Sequence, residues 1–262
     1  MPDALIGHTG FVWSNLVRQM PFDEFYNSKN IDDIRGRKFG LVVCAAAPGA
    51  KWHANQHPRE DWSSIARLQQ AVNSIHAERF VLISTIDVYS EPRGVDENTP
   101  CTTKGLHWYG INRLVLEIMI RQQFDNRATI VRLPALFGKG LKKNALYDLM
   151  RGNDVEKIPA NAMYQWYDVG GLGADLRCLV DSGYPLVNIV SAPIKMSVIR
   201  NRYFIRQNLG ENRMDAARYD VGTIYPIYRT GARDLLREMG EWLTSEMSTA
   251  VMSPELAMRA AI

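Results

Sequence analysis

Gly7-His8-Thr9-Gly10 stands between a short apolar run, Ala4 to Ile6, and a segment in which Phe11, Val12, Leu16 and Val17 recur at helical spacing. A glycine turn at the start of a helix lets backbone amides approach an anion closely, and the helix N-terminus adds unpaired N–H groups and a partial positive charge. The chemistry on offer is pyrophosphate binding. Glycine pairs also mark many plain strand-to-helix turns, so it is the place directly after an N-terminal strand that gives this pair weight. Other reactive types offer less. Cys44, Cys101 and Cys178 are odd in number, far apart and outside any metal or disulfide spacing, so neither a zinc site nor a disulfide framework is expected. His53, His57 and His107 are single histidines for which a solvated ring is the ordinary outcome; His107, two residues before Tyr109, is the one placed to act as a pH-active base.

The elements that must position these residues follow from the apolar pattern. Glu24 to Asn27 predicts a second strand, and Ser28 to Lys38 is too hydrophilic for a core element. Gly40 to Ala47 is a continuous apolar run ending at Pro48-Gly49, as in a strand buried on both faces. Asp61 to Ile75 carries Trp62, Ile65, Leu68, Ala71, Val72 and Ile75 at spacings of three and four, which predicts an amphipathic helix. Strands at Phe80 to Thr85 and Thr129 to Pro134 flank a helix at Tyr109 to Gln123. This alternation implies βαβ crossovers and an α/β fold with a doubly wound parallel sheet, the Rossmann arrangement. Beyond Gly138 the rhythm loosens: helices at Ala145 to Met150, Leu172 to Val180 and Thr230 to Ser245, a strand at Leu186 to Val190, and a helical tail at Met252 to Ile262. Residues 1–138 are therefore expected to form a dinucleotide-binding domain, and residues 139–262 to combine returning core elements with a small substrate-binding region.

Composition bounds the partners. With 262 residues, 46% hydrophobic and 23% charged, the chain is an ordinary globular protein, neither disordered nor fibrous. Lysine and arginine total 31 against 28 acids, a net charge of +3, and the arginines are scattered, so nucleic acid is not an expected partner. Without a signal-peptide pattern or a long uninterrupted apolar run, the expectation is a cytoplasmic protein that does not span a membrane.

Five segments in order resemble the extended short-chain dehydrogenase/reductases. They are Gly7 to Val12, Val43-Cys44-Ala45-Ala46-Ala47, Ser84 to Tyr89, Tyr109 to Arg113, and Arg132 to Gly138. The chain is similar to the NAD-dependent epimerase/dehydratase branch, which acts largely on nucleotide sugars. The likeness covers residues 4 to 138; beyond them only Trp166-Tyr167-Asp168 and Val187-Asn188-Ile189 contribute. It implies a bound NAD or NADP. Gly7, Thr9, Gly10, Phe11 and Val12 would meet its phosphates, Asn27 and Lys29 its ribose end, and Ala45, Ala46, Ala47, Ser84, Leu133, Pro134, Tyr109 and Arg113 the rest. It also implies Thr85, Tyr109 and Arg113 as catalytic residues, and Thr85, Asp87, Lys142, Lys143 and Asn144 as substrate contacts. The short interval after the second strand resembles nucleotide-sugar reductases of the GDP-fucose synthase type. Relatives commonly pair through the helices here at Asp61 to Ile75 and Tyr109 to Gln123, which makes a homodimer the expected assembly.

Two departures bear on activity. Trp13 stands where relatives carry a third glycine, so its indole either reshapes the cofactor pocket or rotates onto the neighbouring helix. Arg113 stands where a lysine follows the tyrosine by four positions, which keeps a cation on the phenol's helix face. A phenol with a pKa near 10 needs such a charge to work at neutral pH, but arginine is no conservative replacement where a cation must also touch the cofactor ribose. The second strand ends without an acid, which argues against strict NAD preference, and Lys29 offers a partner for a 2′-phosphate. The expected function is thus an NAD(P)-dependent oxidoreductase or epimerase of a nucleotide-linked sugar; the alternative is a catalytically weakened relative kept as a binding or structural partner.

Overall fold

The computed structural model describes residues 1–7 and 10–251. Strands β1 (Ala4–Ile6), β2 (Glu24–Tyr26) and β3 (Lys38–Cys44) are followed by helices α2 (Lys51–Gln56) and α3 (Pro58–Val72), with α1 (Phe11–Leu16) between β1 and β2. Next come β4 (His76–Thr85), β5 (Arg93–Val95), α4 (Trp108–Phe124), β6 (Ala128–Leu133) and, much later, β10 (Leu186–Asn188). The central sheet has six strands in the order β10-β6-β4-β3-β1-β2, every pairing parallel.

Alternation along each strand sends side chains into two apolar layers. Ile6, Val42, Phe80, Leu82 and Ile130 pack with Ile65, Leu68 and Val72 of α3 and with Leu116 and Ile120 of α4. Leu5, Val43, Val81, Ile83, Val131 and Val187 pack on the other face with Leu16 of α1 and Leu172, Leu176 and Leu179 of α6 (Leu172–Ser182). Helices on both faces are why these strands read as unbroken apolar runs. The chain winds one way from β1 to β2 and the other way from β3 onward, so the sheet's switch point lies between β1 and β3.

The remaining residues form a smaller layer at the C-terminal ends of the strands. It contains β7 (Ala135–Phe137), α5 (Ala145–Arg151), β8 (Met163–Tyr164) and β9 (Trp166–Asp168). After β10 come β11 (Val190–Ser191), β12 (Ile194–Lys195), α7 (Met196–Tyr203), β13 (Asp220–Val221), β14 (Arg229–Thr230) and α8 (Ala232–Val251). Phe137, Trp166, Leu146, Leu149, Met196, Ile199, Met239 and Trp242 form its core. Among the described residues no helix is long and apolar enough to cross a membrane.

Several expectations need correction. The Ser28 to Lys38 stretch is not wholly outside the core: a 3-10 turn at Ile31–Ile34 buries both isoleucines with Asp32 and Asp33 turned outward. Two apolar residues three apart are enough to anchor a turn that average hydrophilicity conceals. Leu186 to Val190 is not one strand; it leaves the sheet at Ile189, and β11 pairs instead with β14. Helix α2 went unrecognised because six largely polar residues show no apolar period. The expected tail at Met252 to Ile262 lies outside the described residues.

Candidate active site

The glycine turn follows β1 at the switch point. Gly7 has φ +105°, its N–H donates to the Tyr26 carbonyl at 2.7 Å, and a Cβ there would stand 2.6 Å from the Ala45 carbonyl oxygen. Only glycine satisfies both the backbone angle and that close approach to the end of β3. Gly10 donates to the Gly7 carbonyl at 3.1 Å and opens α1. Thr9 lies outside the described residues. Ala45, Ala46 and Ala47, part-buried and small, continue past β3 beside this turn. Phe11 and Val12 are part-buried against the sheet. The Trp13 ring meets Phe25 of β2 edge-on at 6.3 Å, Phe25 in turn meets Phe22 at 6.5 Å, and Trp13 packs against the apolar layer that includes the α6 leucines.

Thr85 closes β4. Its Oγ1 accepts from the Asp87 N–H at 3.1 Å, starting a 3-10 turn at Ile86–Val88. Tyr109 sits in the first turn of α4, where its own N–H donates to Asn55 Oδ1 at 2.9 Å. The next residue must be small, because a Cβ on Gly110 would overlap the Asp87 carbonyl oxygen. This close approach of helix to turn brings Thr85 and Tyr109 together. Burial pushes the Tyr109 phenol up to about 12, with the nearby Arg113 charge opposing the rise and Asp87 adding to it. The hydroxyl therefore keeps its proton at neutral pH.

Arg113 is committed elsewhere. Its guanidinium is 2% exposed and donates to the Asp61 carboxylate on α3 and to the Pro48 carbonyl. Asn112 donates to the same carboxylate at 2.7 Å. The guanidinium carbon lies 4.0 Å from the Tyr109 ring centroid, over the face of the ring and not at its oxygen. Ser84 is similarly engaged: its hydroxyl donates to Glu117, which pairs with the buried Arg132 at 2.6 Å. Leu133 and Pro134 are buried at the end of β6.

A cavity of about 490 Å³ opens beside the Thr85 turn, walled by Lys51, Asp87, Tyr89, His107, Arg218 and Tyr219 among others. Asp87 Oδ1 accepts from Lys51 Nζ at 2.7 Å and from the Tyr219 hydroxyl at 2.6 Å, and Lys51 donates to the Tyr219 oxygen at 3.0 Å. Neither Lys51 nor Tyr219 has a sequence signal; they stand 168 residues apart and only the fold brings them together. Lys142 and Lys143 are exposed and Asn144 caps α5 by accepting from Leu146 and Tyr147, so none of the three lines this cavity. Asn27 and exposed Lys29 form the turn after β2, where Asn27 Oδ1 accepts from the Lys29 N–H at 2.7 Å. His53 and His57 face Glu60 at 3.9 and 3.8 Å, away from the cavity lining. No group of metal-ligating side chains occurs among the described residues.

His107 is the histidine that lines the cavity. Its Nδ1 accepts from the Gly110 N–H at 3.0 Å as the N-cap of α4, which places the ring proton on Nε2, 3.9 Å from Asp87 Oδ1. Burial, helped by Lys51, lowers its pKa from the usual 6.5. The fold favours the neutral ring, so the unfolded chain takes up the proton first, and the stabilisation present above 6.5 is lost as pH falls toward the lower folded value. His107→Asn keeps a capping side chain and is expected to flatten this loss in thermal unfolding across pH 5 to 7, roughly the span of imidazole titration; an unchanged slope would assign it to other groups.

Comparison with known proteins places this geometry in context. The sequence model of the NAD dependent epimerase/dehydratase family matches residues 24–158. No curated protein matches the sequence. Among solved structures, MoeE5 in complex with UDP-glucose and NAD superposes with a TM-score of 0.74 at 18% identity, covering 94% of this chain and 100% of that one. A dTDP-4-dehydrorhamnose reductase ortholog from Clostridium acetobutylicum gives 0.72 at 13% identity, covering 94% and 100%. The dTDP-4-dehydrorhamnose reductase of Bacillus anthracis in complex with NADP gives 0.65 at 19% identity, covering 84% and 88%. At such identities the likeness is one of fold.

Proposed function

The chain belongs to the NAD dependent epimerase/dehydratase family, and from that premise we propose that it is an NAD(P)-dependent reductase or epimerase of a nucleotide-linked sugar, with Tyr109 moving the proton. The observation that carries this is the close approach of the Tyr109 helix turn to the Thr85 turn at the end of β4, where a Cβ on Gly110 would overlap the Asp87 carbonyl oxygen. The residues fit the cofactor: Gly7, Gly10 and Ala45 to Ala47 leave small side chains at the switch point for a diphosphate, Asn27 and Lys29 in the turn after β2 would meet the ribose end, and the Trp13 indole packs on Phe25. When bound, a nicotinamide dinucleotide supplies hydride. Thr85 orients a substrate oxygen, and Tyr109 holds a proton at its hydroxyl for that oxygen. A phenol protonated at neutral pH is suited to giving a proton during carbonyl reduction, more than to removing one from an alcohol. Residues beyond 138 contribute Arg218 and Tyr219 to the substrate cavity, and the protein is assigned to the cytoplasm, in keeping with three free cysteines.

A second reading has its own support. The clamping of Arg113 by Asp61 removes the cation that would touch the cofactor ribose, as in a catalytically weakened relative kept for ligand binding. Calorimetric titration with NADH, NADPH and NAD separates the two: absence of heat with all three would defeat the enzyme reading. Trp13→Gly is expected to tighten NADH or NADPH binding by about 1 kcal/mol, roughly fivefold, and Arg113→Lys to raise turnover; no change in either would remove both residues from the cofactor site. A homodimer through α3 and α4 would cover exposed Trp62 and Ile118. Light scattering that finds a monomer at micromolar concentration would exclude it.

A further inference from the structure

The polar cluster on the cavity wall has no task in the chemistry so far. Lys51 comes from α2 beyond β3, Asp87 from the turn after β4, and Tyr219 from the segment before β13, so the cluster closes only when the C-terminal layer folds onto the sheet. Holding a lysine ammonium between two partners costs side-chain freedom, which an ordinary surface lysine keeps. Both hydrogen bonds to the carboxylate fall on Oδ1, and among the described residues none falls on Oδ2. His107 from the start of α4 also stands 3.9 Å from this carboxylate, and the phenols of Tyr109 and Tyr164 lie within its electrostatic reach. Tyr164 stacks on Tyr219 at 5.8 Å and so steadies the phenol that reaches Asp87.

We propose that Lys51 and Tyr219 are positioning residues that fix Asp87 as a charged acceptor for a hydroxyl of the sugar. This rests on the nucleotide-sugar reading above and sharpens it. With Oδ1 already taken by an ammonium and a phenol, Oδ2 is left to accept from a hydroxyl of the sugar, and Lys51 and Tyr219 hold the carboxylate in place for that bond. The cluster therefore serves recognition of the sugar.

Calorimetry of the full chain with UDP-glucose, and with UDP as the reference lacking the sugar, tests this. Lys51→Met and Asp87→Asn are expected to weaken UDP-glucose about tenfold relative to UDP, Tyr219→Phe to weaken it less, and Lys51→Arg to recover most of the loss. Parallel losses for UDP and UDP-glucose, unchanged binding of both, or failure of Lys51→Arg to recover would overturn the proposal. Thermal unfolding of each variant identifies any that fails to fold, in which case Tyr219→Phe and Lys51→Arg decide. If neither UDP-glucose nor dTDP-glucose binds the unaltered chain, the nucleotide-sugar reading itself falls, a result distinct from binding that ignores Lys51.

Discussion

Tyr109→Phe is expected to lower turnover by about a hundred- to ten-thousand-fold, the usual loss when a positioned proton carrier is removed. The substitution takes away only the phenol oxygen and its proton. The ring stays under the Arg113 guanidinium, 4.0 Å from its centroid, so folding and dinucleotide binding are expected to survive. Nicotinamide absorbance during turnover of a nucleotide sugar, set beside calorimetric cofactor binding, separates the two effects. Turnover above about a tenth of the original rate would mean that another group carries the proton. Thr85→Val tests the neighbouring hydroxyl: it also loses the cap on the Ile86–Val88 turn, so its penalty includes a structural part.

Asp61→Ala carries the largest expected cost in stability, about 3 to 5 kcal/mol, because it strands a guanidinium that is 2% exposed. Asn112 loses an acceptor in the same step. At this chain length the melting temperature should fall by roughly 10 °C. The double variant Asp61→Leu with Arg113→Met is expected to recover most of that loss, since a well-packed apolar replacement of a buried pair is commonly neutral or better. Urea unfolding of the single and double variants measures this coupling. A single-variant loss below about 1 kcal/mol would mean that water reaches the guanidinium and that the pair is weaker than its burial implies.

The sheet was legible because strands covered on both faces must be apolar throughout; Val42-Val43-Cys44 and Phe80 to Ile83 could hardly be anything else. The glycine turn after the first strand was legible too, and the structure gives its reason: Gly7 passes the Ala45 carbonyl where no side chain fits. What escaped was pairing across distance. Asp61 reads as an ordinary acid in the first turn of a helix, and only the packing of α3 on α4 turns it into the counter-ion of Arg113. Lys51 reads as solvated, and nothing in its neighbours foretells a tyrosine 168 residues away. Asn144, singled out for a substrate, is taken up by backbone amides of its own helix, the common fate of asparagine at such a position. Types and spacings report local structure faithfully; they are silent on which charge a long-range contact has already claimed.

The edge position of β2 has a consequence for retuning the protein. Among the described residues no strand lies beyond Glu24–Tyr26, and the Ser28 and Lys29 side chains of the following turn are exposed. The elements that hold the sheet, including Ile31 and Ile34, begin just past that turn. On the proposed placement of the ribose end at this turn, exchange of outward-facing Ser28 and Lys29 is expected to shift preference between the two dinucleotides without disturbing a core contact.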